Sequence, residues 1–466
     1  MNTHDTISAP RPAPDAGMDA HDARTDQAEG MRPHRTRRDT TLLATCLLAA
    51  LLVDRLVIHD IETENARALV THIGLLTASW PMAVHILFRK SIRRRPSPWI
   101  LGSELTALGI WCMLYGTGPA YHGNREFMTL SALATPGLAM LHLQVSAGAD
   151  PMQRPRGTAM RWLRGWFVEP FSALGCIPDA LAAPFAARAG HVGGGTGRGL
   201  AIGVLCSLPV LMAATPLLTS SDEVFAWYFA DLMHHADIRS ATAHGIIVAS
   251  GAALLFSLLR NADRHATAEA DSSAAAKTPR RRTPLNPTAC ATMLAIVGAL
   301  YAAFCSTQLA FLFAGRGLPA GYTYADYARQ GFWQLLAVTA INLALYGICL
   351  SYAPRRRPLV AALAVLILCT AVILASAFTR LHLYIGAYGL TWLRLAALTL
   401  MGYLAVVLLL CAIRLAGARI PLAAITLMLA PAWFVVLGYA DPHHIIDACN
   451  AAMSFGYTAP SPTGGL

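Results

Sequence analysis

The chain has 466 residues, of which 55% are apolar and only 13% charged, and its formal net charge is +10. Soluble domains carry about 25% charged residues, so this composition excludes an ordinary water-soluble globule. It also moves the basic excess away from nucleic-acid binding, because the Lys and Arg lie between long apolar runs where they report membrane topology.

Residues 1–39 hold Pro, Ala, Asp, Arg and Thr with almost no large apolar side chain, which predicts a disordered cytoplasmic tail. The tail ends in RPHRTRR (32–38), a basic flank suited to anionic headgroups. Eleven apolar stretches follow, each near the ~20 residues that cross a bilayer. They cover 40–58, 68–88, 98–117, 127–147, 199–219, 242–260, 289–314, 331–353, 358–378, 390–413 and 420–439. The first has a short clean run, Thr41 to Val53, for which a signal peptide is the rival reading; no small-residue cleavage site follows it. The expected fold is therefore all-α, a polytopic transmembrane helical bundle of about 11 spans.

The predicted organisation is a first membrane half of six spans (40–260), a low-complexity cytoplasmic linker (261–287), a second half of five spans (288–440) and an extracytoplasmic C-terminal tail (441–466). Orientation follows from charge. With the N-terminus inside and the C-terminus outside, all but eight of the 36 Lys and Arg face inward, including RKSIRRR (89–95), PRRR (279–282) and PRRRP (354–358). The eight outer ones are Arg55, Arg67, Arg125, Arg239, Arg316, Arg329, Arg380 and Arg394.

Between spans, MRWLRGWFVEPFSALGCIPDALAAPFAARAG (160–190) places aromatic, apolar and basic residues at helical spacing without reaching span length. One or two interfacial helices are expected there, on the cytoplasmic face, with room for a protein partner. GGGTGRG (193–199) lacks the G-K-[ST] ending and preceding strand of a phosphate loop and reads as a hinge. SSDEVFAWYFADLMHHADIR (220–239) predicts a short amphipathic helix at the outer interface. The ten cysteines include no C-x-x-C pair, and the neighbouring histidines of His234-His235 and His443-His444 point apart, so neither a metal nor a cofactor is expected.

Ionisable groups inside spans are costly and mark functional candidates. Here they are Asp54, Arg55, His85, Glu104 and His142, each with a structural alternative such as ion pairing or snorkelling. The outer mouths are richer. YTYADYARQGFWQLL (322–336) gathers Tyr324, Asp326, Tyr327 and Arg329, with Asp326 and Arg329 spaced to pair on a helix. In TRLHLYIGAYGLTWLR (379–394), Arg380, Tyr384 and Tyr388 form one helical stripe, Gly389 ends that helix, Thr391 caps the next, and Arg394 enters it. Arginine suits bidentate pairing with carboxylate or phosphate.

QLAFLFAGRGLPAGYTYADYARQGFWQLLAVTAIN (308–342), LLTSSDEVF (217–225) and RLHLYIGAYGLTWLRL (380–395) resemble domain of unknown function family 4173, whose near relative is family 4153. The resemblance runs from the first span to about residue 450. It implies a multi-pass protein of the bacterial cytoplasmic membrane with no established activity, and it marks Asp222, Gln308, Tyr324, Tyr327, Arg329, Gly331, Arg380, Tyr384, Tyr388, Gly389 and Arg394.

Three functions compete. The first is a carrier-like protein with an outward-facing polar site for an anionic solute or lipid headgroup, and membrane lipids as its surroundings. Its site combines Asp54, Asp222, Gln308, Tyr324, Asp326, Tyr327, Arg329, Arg380, Tyr384, Tyr388 and Arg394. The second is a sensor or scaffold without enzymatic activity. The third is an outer-leaflet enzyme on lipid-linked substrates, with DIETE (60–64) as its acidic loop.

Overall fold

A computed structural model describes residues 38–93, 95–117, 125–152, 155–181, 238–274, 287–308, 332–354, 356–418 and 420–453. Twelve principal helices run through these residues, and none of the described residues is in a strand. They are α1 (Arg38–Glu62), α2 (Ala66–Leu87), α3 (Ser97–Thr117), α4 (Arg125–Ser146), α5 (Pro155–Phe167) and α6 (Ile238–Ala274). They continue with α7 (Pro287–Gln308), α8 (Phe332–Tyr352), α9 (Arg357–Tyr388), α10 (Trp392–Leu415), α11 (Leu422–Tyr439) and α12 (Pro442–Ala452). Seven of them, α1, α2, α6, α7, α9, α10 and α11, are long and apolar enough to cross a membrane. Ten of the eleven predicted spans coincide with a helix; the stretch 199–219 lies outside the described residues. So do the outer segment 220–237 and the hinge 193–199.

Two helix boundaries differ from expectation. The sixth span does not stop at residue 260: α6 continues to Ala274, because Asn261–Ala274 is rich in Ala and in residues that tolerate a helix. The segment after 440 opens with α12, whose Asp441 side chain accepts from the His444 amide and whose Pro442 takes the first helical position. Among the described residues, one compact unit joins 38–59 with 166–181 and 238–261, and the other joins those of 60–165 with those of 262–453.

In the first unit, α1 and the start of α6 run antiparallel and are tied at both ends. Arg260 donates to Asp39 from Nε and Nη2 at 3.0 and 2.8 Å. His244 Nδ1 lies 2.7 Å from Asp54 Oδ1. Near the first tie, Ser257 donates to the Glu169 carbonyl at 2.7 Å and accepts from the Ala173 amide, which seats the short helix Glu169–Ser172 against α6. Around Asp54, α1 widens into a π-turn over Asp54–Ile58, and the His59 amide reaches back to the Asp54 carbonyl.

In the second unit, α2 and α3 meet backbone to backbone. A Cβ on Gly74 would stand 2.7 Å from the Gly109 carbonyl oxygen, and one on Gly109 would stand 2.4 Å from the Ala78 nitrogen. Small residues at such crossings let membrane helices approach closely. On the far side of α3, Trp111 donates to the Gly438 carbonyl at 3.0 Å and Tyr439 to the Ala107 carbonyl at 2.8 Å, which binds α11 to α3. The Phe127 ring of α4 fills the space between them, stacked on Phe434 and edge-on to Trp111. The remaining core surrounds α9, which buries Leu359, Leu363, Leu366, Ile373 and Ala377 and packs on α7, α8 and α10.

Candidate functional site

The turn between α9 and α10 collects four of the residues singled out by sequence. α9 opens with exposed Arg357, and the rise from there to Arg380 is about 35 Å at 1.5 Å per residue. That is slightly more than the ~30 Å hydrocarbon thickness, so a helix starting at one interface brings Arg380 to the other. Arg380 is nevertheless only 7% exposed, on a stretch of α9 that also buries Ser376, Ala377 and Leu381.

Beyond it the stripe continues as expected. The Tyr384 and Tyr388 rings meet edge to face at 5.0 Å. Gly389, with φ of +74°, ends α9, and its amide bonds the Ile385 carbonyl at 2.8 Å. Thr391 stands at the N-cap of α10, but its side chain makes no capping hydrogen bond. The turn itself is held from elsewhere. Asn450 of α12 accepts from the Leu390 amide at 2.6 Å and donates to the Leu390 carbonyl at 2.9 Å.

Arg394 does not project outward along α10. Its Nη1 donates to the carbonyls of Tyr388, at 3.0 Å, and of Gly389. Its Cζ lies 4.1 Å from the Tyr384 ring centroid and 6.0 Å from that of Tyr388. The guanidinium thus caps the C-terminal carbonyls of α9, where helix polarity favours a cation, and rests on two aromatic faces. The result is a positively charged corner with tyrosine walls, held rigid by Asn450.

Asp54, in the other unit, is 4% exposed and paired with His244. Its partner is a histidine 190 residues away, for which the sequence holds no local signal. The acidic DIETE loop is partly absorbed in the same manner, with Asp60 Oδ2 2.6 Å from His72 Nδ1. Gln308 ends α7. Asp222, Tyr324, Asp326, Tyr327, Arg329 and Gly331 lie outside the described residues.

His85, Glu104 and His142 lie on α2, α3 and α4. His85 and His142 face each other with Nε2 atoms 3.2 Å apart, and Trp99 lies against His85. A Cβ on Gly102 would already sit 3.2 Å from both rings, so α3 passes close against the pair. Glu104 is half-buried, and its Oε2 has no hydrogen-bond partner among the described residues. No cluster of three or more His, Cys, Asp or Glu suited to a metal occurs among the described residues. Asn450 was missed because the segment after 440 was read as tail. The Asp441-Pro442 pair, an N-cap followed by proline at the first helical position, is the signal that marks α12.

No curated protein and no solved structure matches the chain. The match that exists falls on the relative named with the sequence resemblance, and it spans α4 to α12 with the second half of α3. A family model described as a domain of unknown function, DUF4153, matches residues 109–455, and the chain, an integral membrane protein, belongs to that family.

Proposed function

We propose that the protein is a carrier-like component of the bacterial cytoplasmic membrane whose polar site for an anionic solute or lipid headgroup is built on the α9–α10 turn. The supporting observation is Arg380: a cation at the membrane boundary, 7% exposed, one helical turn from the Tyr384–Arg394 stack. Arginine pairs bidentately with carboxylate or phosphate, and α9 and the start of α10 bring two of them to this end of the unit. In this reading Asp326 and the family-marked residues Gln308, Tyr324, Tyr327 and Arg329 serve the same anion. The chain crosses eleven times with its N-terminus inside, and the basic, aromatic α5 lies on the cytoplasmic face, where a protein partner can dock.

Arg380 and Arg394 separate under mutation. Arg394 also holds the turn, so Arg394→Ala lowers abundance together with function. Arg380→Ala is expected to leave abundance near wild type and to abolish stabilisation by anionic probes such as inorganic phosphate or a dicarboxylate, measured as a ligand-induced thermal shift of purified protein. Full retention of that shift in Arg380→Ala rules the site out.

A further inference from the structure

A cavity of about 700 Å³ lies wholly within the second unit, between α4, α5, α10 and α11. Its wall is made of Ala134, Gly137, Leu141, Leu427, Pro431 and Phe434. The few polar groups along it are already used by the protein. Thr158 donates to the Ala149 carbonyl at 2.6 Å, Trp162 to that of Gly137 at 2.9 Å, Tyr403 to that of Thr426 at 3.1 Å and Thr426 to that of Leu422 at 3.0 Å. A ligand here is therefore offered hydrocarbon contact and almost no hydrogen bonding, which selects an aliphatic chain.

Length and charge identify the chain further. Along α11 the cavity reaches from Ala423 to Phe434, about 16 Å at 1.5 Å per residue. That is about half of the ~30 Å hydrocarbon thickness, the depth of one leaflet. It begins at the end of the unit where α10 turns into α11, and there it adjoins a second cavity of about 610 Å³. Tyr403, Ala423 and Thr426 border both, and the second cavity carries a guanidinium, Arg414, anchored to the Ala418 carbonyl at 2.8 Å. Beside the first cavity, α5 exposes Met160, Leu163 and Phe167 (60%, 46% and 75%), an apolar stripe suited to lie among lipid chains.

We infer that one anionic phospholipid of the leaflet on the Arg414 side occupies this crevice, an acyl chain filling the cavity along α11 and the phosphate meeting Arg414. The site is separate from the α9–α10 corner, and its occupancy does not depend on any transported solute.

The test is native mass spectrometry of protein reconstituted with an equimolar mixture of phosphatidylglycerol and phosphatidylcholine. Wild type is expected to retain one phosphatidylglycerol through delipidation. Ala430→Phe, which fills the crevice, should lower retention of both lipids at least tenfold, whereas Val436→Phe, on an exposed position of the same helix, should not. Arg414→Gln should remove the preference for phosphatidylglycerol and leave phosphatidylcholine retention unchanged. Should Ala430→Phe fail to fold, acyl-brominated phosphatidylglycerol gives the same answer, since its quenching of wild-type tryptophan fluorescence should exceed that in Trp162→Phe. Loss of all lipid from wild type, or equal retention by Ala430→Phe, overturns the crevice. Equal retention of the two lipids by wild type overturns the role of Arg414, and absence of any Trp162-dependent quenching excludes a chain beside α5.

Discussion

Asn450 serves both backbone groups of Leu390 at a point where the chain has left one helix and not yet entered the next. Replacing it by alanine strands a buried N–H and a buried C=O, and each orphaned group costs about 1–3 kcal/mol. Asn450→Ala is therefore expected to lower the thermal unfolding midpoint and to open the 388–392 turn to limited proteolysis. Asn450→Asp, which keeps the acceptor for the Leu390 amide, should fall between it and wild type; equal midpoints for all three would remove Asn450 from the support of the turn. Part of this corner is legible in the sequence. The i, i+4 spacing sets Tyr384 and Tyr388 together, and Gly389 marks the helix end, because both follow from local geometry. The fold-back of Arg394 is not legible, since its partners are carbonyls that any sequence would provide. The Asp54–His244 pair is equally hidden, being a matter of which helices meet.

Helix existence was readable from run length, because apolar stretches of about 20 residues are rare outside membranes. Helix pairing was not, and the α2–α3 crossing shows why: its determinants are two hydrogen atoms where side chains could be. Gly74 and Gly109 sit in apolar runs among many other glycines, and only the structure separates these two from Gly386, around which an added Cβ meets nothing within 4 Å. The contrast is testable. Gly109→Ala drives a methyl group into the α2 backbone and should cost most of the folded yield, seen as loss of the monodisperse peak in detergent size exclusion. Gly386→Ala should be neutral or raise stability by up to about 1 kcal/mol, the usual gain of alanine over glycine in a helix. Equal behaviour of the two variants contradicts the close crossing. The length of α6 is a further case, since a polar stretch after a span reads as linker even when its alanines keep it helical.

Seven helices suffice by length and composition to make this a membrane protein, and the proposed eleven-span path is decided by which end of each helix carries the basic residues. Reporter fusions at Ile92, Ala270 and Leu466 should place the first two in the cytoplasm and the last outside; a cytoplasmic signal at Leu466 refutes that path. The two compact units interleave along the chain, so the order in which helices are made differs from the order in which they pair. α1 is completed early with Asp54 already in place, while His244 and Arg260 are made 190 and 221 residues after the acids they meet. At about 5–20 residues per second, the first helix waits on the order of 10–40 s for its partner. During that interval the Asp54 carboxylate stands without its histidine, so α1 is secured only long after it is made. Synthesis order and pairing order therefore diverge, and the tie between α1 and α6 closes only once α6 has been made.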